Sequence, residues 1–158
     1  MTPQPFQPTV VDGLPSPYEA LRGLIYFPRM IAKIRLHAAG RLPETYHANL
    51  GEGFDGRCVR FLGVEYETLK AETLKSEASD ESLLEWCFRS GRRPNEEEIM
   101  IWSEFLMKRG WRDASRKVLR RRLRDAGLPE EGGSIETMFD FIDLDEGRPL
   151  RQPGADPL

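Results

Sequence analysis

The side chains of this chain best suited to chemistry fall in two neighbouring stretches. With residues 18–39 read as helix, Tyr26, Arg29, Lys33 and His37 lie along one edge of it, beside the apolar face. The following stretch adds Tyr46, His47 and Asn49, and then Arg57 and Arg60 near the start of a further helix. Guanidinium groups grip carboxylate or phosphate in a bidentate fork, and lysine adds a point charge. If Arg29, Lys33, Arg57 and Arg60 converge they form an anion site, helped by a helix N-terminus near residue 56. Histidine titrates near neutral pH, so His47 or His37 is the candidate general acid or base. The expected ligand-binding set is therefore Arg29, Lys33, Tyr46, His47, Asn49, Arg57 and Arg60, and the ligand is a small anionic metabolite. The residues leave open whether any reaction follows binding. The plainer alternative is a solvated face on which these cations pair with Glu19, Glu44, Glu52, Glu65 and Glu67.

Other chemistries find less support. GEGFDG at 51–56 matches a dinucleotide-binding glycine pattern, but no strand precedes it, and its glycines are better read as permitting positive φ or close backbone approach. No P-loop and no G-x-S-x-G elbow occurs. Neither HExxH nor CxxC is present, and the acidic run Asp140, Asp143, Asp145, Glu146 fails the EF-hand spacing, so neither metal nor cofactor is expected. That run reads instead as a solvated or arginine-paired face. Cys58 and Cys87 sit in apolar helical patterns and read as small buried hydrophobes.

The elements that must position these residues are helices. Apolar residues recur at helical spacing in segment after segment, and alternating strand-like runs are scarce. The expectation is an all-α single domain of seven or eight short helices over 18–146, with a proline-rich tail at 1–17 and a second tail at 147–158, both extended or disordered. The first helix spans about Tyr18 to Ala39 and is interrupted near Pro28, which should kink or restart it there, with Phe27, Met30, Ile31, Ile34 and Ala38 on its apolar face. Asp55 caps a short helix stopped by Gly63, and a weakly apolar helix follows at about 65–75. Ser79 starts a central helix, and Asn95 with Glu98 forms a capping box ahead of Ile99, Ile101, Trp102, Phe105 and Leu106. Asp113 caps the next helix, and Ser134 starts the last.

The blocks FPRM at 27–30, YHANLGEGFDGR at 46–57, FLGV at 61–64 and FDFIDLDEGR at 139–148 together resemble the bacterial domain of unknown function 5069 family. The resemblance covers about residues 12–148 and implies a stand-alone bacterial domain, with no activity, cofactor or catalytic residue attached to it.

At 158 residues, with 39% hydrophobic and 31% charged side chains and a net charge of −3, the chain can build one core and has no excess of positive charge. No apolar run approaches the ~20 residues of a membrane span, and no secretory leader is legible, so the expected compartment is the cytoplasm. The charge is unevenly placed. Residues 108–124 hold nine basic side chains and one acid, and residues 125–146 hold eight acids and no base. Packing one against the other, within the chain or between two copies, is expected over binding to nucleic acid. This supports the alternative function, a helical interaction or self-association module using those two surfaces with Trp102, Trp111 and the Phe139–Ile142 face.

Overall fold

The computed structural model describes residues 4–75 and 77–151. Among them are seven α-helices and one two-stranded ladder, so the domain is mostly helical and not purely all-α.

The first departure from the sequence reading lies before Pro28. Residues 18–26 are not helical. β1 (Ala20–Leu21) pairs antiparallel with β2 (Leu24–Ile25) around Arg22 and Gly23, whose φ values are 49° and 78°. Positive φ at both turn positions is the two-residue hairpin geometry that matches strand twist. Pro28 lies in the first turn of α1 (Phe27–Ala38), where its missing N–H would have had no helical partner, so it starts the helix and kinks nothing. Phe27, Met30, Ile31 and Ile34 enter the main core as expected, whereas Ala38 is exposed.

A 3-10 turn (Glu44–Asn49) leads to α2 (Gly53–Leu62), which ends at Gly63 in the left-handed region, with φ 72°. Then follow α3 (Tyr66–Lys75), α4 (Asp80–Ser90) and α5 (Glu96–Lys108). Ser79 accepts from the Ser82 N–H, and Asn95 and Glu98 form the full reciprocal box at the start of α5. α6 (Arg116–Asp125) has no side-chain cap. Asp113 instead accepts from the N–H groups of Gly110 and Ser115 and sets the turn before it. α7 (Met138–Asp145) begins four residues later than Ser134, because Thr137 and Asp140 build their own capping box there.

The main core joins α1, β2, α4 and α5 through side chains such as Leu24, Met30, Leu84, Trp102 and Leu106, with Phe139 of α7 among them. Trp102 and Phe139 are therefore interior and not part of a docking face; the Trp102 indole N–H donates to the Ile25 carbonyl at 3.1 Å. Of the remaining α5 set, Ile101 and Phe105 stay exposed. The described part of the N-terminal stretch has no regular structure before the hairpin, yet it packs: Val11 and Leu14 join Leu36 and Leu42 in a second small cluster, and the Thr9 N–H donates to the Asp145 carbonyl at 2.7 Å. Residues 1–3 and 152–158 of the two expected tails lie outside the described residues.

Candidate functional site

A cavity of about 700 Å³ opens between α1, the 3-10 turn, α2, α6 and α7. That volume lies within the range of small-molecule pockets. Five of the seven expected residues line it: Arg29 and Lys33 from α1, Tyr46 and Asn49 from the turn, and Arg57 from α2. His47 and Arg60 do not. His47 faces His37, the rings 4.6 Å apart and edge-on, and its Nε2 lies 2.9 Å from the Leu42 carbonyl. Arg60 lines a separate groove with Phe61, Trp102 and Phe105.

Tyr26, Lys33 and Asp55 form a buried triangle beside the cavity. Tyr26 Oη donates to Asp55 Oδ1 at 2.6 Å and accepts from Lys33 Nζ at 3.0 Å, while Lys33 Nζ stands 2.7 Å from the same carboxylate oxygen. Burial pushes the Tyr26 phenol well above its ordinary pKa, with Asp55 adding to the effect. Burial also pulls the Lys33 amine below its ordinary value, against the opposing attraction of Asp55. The backbone of Tyr26 is left-handed at φ 81°, a conformation that costs a non-glycine residue about 1–3 kcal/mol and is held only by its surroundings. Here the ring lies against Phe139 at 5.9 Å and Phe54 at 5.7 Å, and the hydroxyl is fixed by the triangle.

The GEGFDG stretch serves this triangle and not a nucleotide. Gly51 and Gly53 have φ of 76° and 52°, and a Cβ on Gly56 would stand 2.9 Å from the Gly51 carbonyl oxygen. The loop so folded back on α2 presents the Gly51 N–H to Asp55 Oδ2 at 3.1 Å. Asp55 is thus an acceptor inside the first turn of α2, not its cap.

Arg29 is committed elsewhere. Its two terminal nitrogens donate to both oxygens of Glu146, at 2.8 and 2.6 Å, and one also donates to the Pro15 carbonyl. Tyr46 Oη donates to Glu146 at 3.0 Å and Arg148 adds a further bond at 2.6 Å. Burial opposes ionisation of Glu146, but Arg29 and Arg148 outweigh it and hold the carboxyl below its ordinary range. Arg29 and Lys33 therefore pair with Glu146 and Asp55, and with none of the five glutamates named from the sequence.

The charges left to meet a ligand sit on the opposite wall. Arg57 and Arg122 line the cavity, are exposed, and make no ion pair among the described residues. Arg109, also on the wall, pairs with Asp113 at 3.1 Å and with Arg57 flanks the Phe105 ring. Glu52, Asp125 and Asp145 contribute negative charge, so the lining carries both signs. Sequence reasoning missed Asp55, Glu146, Arg109 and Arg122. Only Asp55 carried a local signal, its place among the glycines; Glu146 lies 117 residues from Arg29.

The fold and cavity define a small helical domain whose first helix and glycine-rich turn present buried ion pairs to a ligand-sized space. The chain belongs to the family described as domain of unknown function (DUF5069), whose model matches residues 12–148. No curated protein and no solved structure matches it significantly.

Proposed function

We propose that this domain binds a small anionic ligand, a carboxylate or phosphate ester, in the cavity between α1, the 3-10 turn and α2. The observation that carries the reading is the arrival of Arg29, Lys33, Tyr46, Asn49 and Arg57 at one space of about 700 Å³. Arg57 is the group that meets the anion, since Arg29 is saturated by Glu146 and Lys33 by Asp55. Arg122 supports it from α6. The half-buried Tyr46 and the exposed Asn49 supply orientation, and Arg29 serves as the fixed strut that holds Tyr46 through Glu146. His47 and His37 have no part in this site. We place the protein in the bacterial cytoplasm, where two buried free thiols stay reduced.

Native mass spectrometry of the purified protein, followed by titration with a panel of dicarboxylates and phosphate esters, tests the reading. The expected result is a bound small anion in the wild type and about tenfold or greater weakening in Arg57→Ala, the loss typical of a charged hydrogen bond. Equal binding by wild type and Arg57→Ala across the panel overturns it.

A second reading, a helical interaction module, is favoured by one observation. Met100, Ile101, Phe105 and Trp111 leave an apolar strip on and just beyond α5 exposed. The basic stretch of α6 does not supply it, being partly neutralised by Glu130 and Glu131 of the following loop. The same mass spectra discriminate, since self-association registers there as a dimer without a small ligand.

A further inference from the structure

Lys33 is the one lysine of five that lines the cavity; Lys70, Lys75, Lys108 and Lys117 lie outside it. Its side chain is 6% exposed, and its amine is gripped between a phenol and a carboxylate that is itself fully buried. A lysine whose only task was to neutralise Asp55 would not need a tyrosine held at φ 81° to complete the contact. The triangle also has the parts of a carbonyl-capturing site: an amine, an acceptor for its proton at 2.7 Å, and a hydroxyl that fixes the nitrogen at 3.0 Å. Burial additionally favours the neutral amine, the nucleophilic form.

From this placement, together with the ligand reading of the same cavity on which it rests, we infer that Lys33 forms an imine with a small aldehyde or ketone that carries an anionic group. The Lys33 ammonium first passes one proton to Asp55. The freed nitrogen lone pair then forms a C–N bond to the carbonyl carbon while the C=O π pair moves to oxygen. Proton transfer from nitrogen to that oxygen gives a neutral carbinolamine. Asp55 returns its proton to the carbinolamine hydroxyl, the C–O bond breaks, and water leaves as the nitrogen lone pair closes the C=N bond. One ammonium and one carbonyl thus become one iminium and one water, with no oxidant, reductant or metal, and the iminium keeps the Asp55 carboxylate as its counter-ion. Tyr26 is a positioning residue, its phenol holding Nζ and Oδ1 in register.

The test uses the intact wild-type protein with two probes, pyridoxal 5′-phosphate as the anionic aldehyde and propanal as the neutral one, each trapped with borohydride and mapped by peptide mass spectrometry. The expected result is reductive labelling of Lys33 several-fold faster than of any of the other four lysines, with Arg57→Ala slowing the phosphate probe and not propanal. Preference for Lys33 with both probes and no effect of Arg57→Ala supports the imine site and overturns the anion reading. Labelling of Lys33 no faster than of the surface lysines overturns the imine site, and an Arg57-dependent small anion in the native spectra then leaves the binding reading standing.

Discussion

Arg29 and Arg57 are the same residue type in the same predicted site, yet burial separates what they do. Arg29 is 4% exposed and hydrogen-bonded at both terminal nitrogens to Glu146, so removing its partner strands a charge in the interior. Breaking a buried pair from one side costs about 3–5 kcal/mol, whereas an exposed arginine with no ion pair among the described residues changes stability by about 0.5 kcal/mol or less. Urea unfolding of Glu146→Ala is therefore expected to show the large loss and Arg57→Ala almost none; comparable losses in the two would contradict the assignment of roles. Glu146 also sets a pH dependence. Its folded pKa lies below the unfolded one, so its contribution is fully present above the ordinary glutamate range and is lost as pH falls through the folded value. Asp143 and Asp145 act oppositely. Burial raises their folded pKa values, so stability falls as pH rises through the window between ordinary and raised values. Urea midpoints measured from about pH 6 to pH 3 are expected to fall on acidification less in Glu146→Gln than in wild type, because only the stabilising carboxylate has been removed. A steeper acid limb in the variant would show that another group governs it.

At the scale of elements, what was legible followed from local chemistry and what was not followed from distance. Ser79, Asn95 with Glu98, and Gly63 mark helix ends by hydrogen bonds closed within a few residues, and the helices begin or end there. Pro28 was legible as a break, but its sign was not: a proline suits a first turn as well as it disrupts an interior one, and only the Arg22–Gly23 hairpin turn upstream decides between them. The final helix starts later than Ser134 suggests, because Ser134 has the right residue type while Thr137 has the partner, Asp140. In the site, the helical wheel brings Arg29 and Lys33 together because α1 does cover them, and Tyr26 joins them from the left-handed position just before the helix, but no periodicity could pair Lys33 with Asp55 or Arg29 with Glu146. Those partners are chosen by tertiary packing across α2 and α7. The two capping boxes give a prediction at this scale. Asn95→Ala, at an exposed start, is expected to cost about 1 kcal/mol. Thr137→Ala should cost more, because the Thr137 hydroxyl also lies 2.9 Å from buried Tyr18 Oη and ties α7 to the hairpin. Thermal or urea unfolding of the two variants checks the order, and an equal cost would mean that the Tyr18 contact contributes nothing.

Across the whole molecule, the net charge of −3 conceals a division of labour among the acids. The acids of α7 are drawn inward, with Asp143 and Glu146 taken up by Ser16, Arg29, Tyr46 and Arg148. α7 does pack on α6 through Met138 and Phe141 against Leu119 and Leu123, but Asp143 and Glu146 are spent on these partners, and Asp145 is the α7 acid that faces a base of α6, Arg122. Neutralisation of α6 falls to the loop, where Glu131 meets Arg116 and Arg120 and Glu130 meets Arg124. Two glutamates cannot balance that helix, and Lys117, Arg121 and Arg122 remain exposed with no ion pair among the described residues. A folded chain of this length has a radius of gyration of roughly 15 Å, while charges are screened over about 10 Å at 0.1 M salt, so a surface meeting α6 senses the local excess and not the molecular total. The protein is consequently expected to be retained on a cation exchanger at pH 7 and about 0.05 M salt despite its negative net charge, and to elute as screening shortens. Replacing Lys117 and Arg121 together by glutamate should abolish retention with little change in melting temperature, since neither residue supports the fold through an ion pair. Wild-type protein in the flow-through at that ionic strength would mean that the neighbouring acids reach across α6 after all.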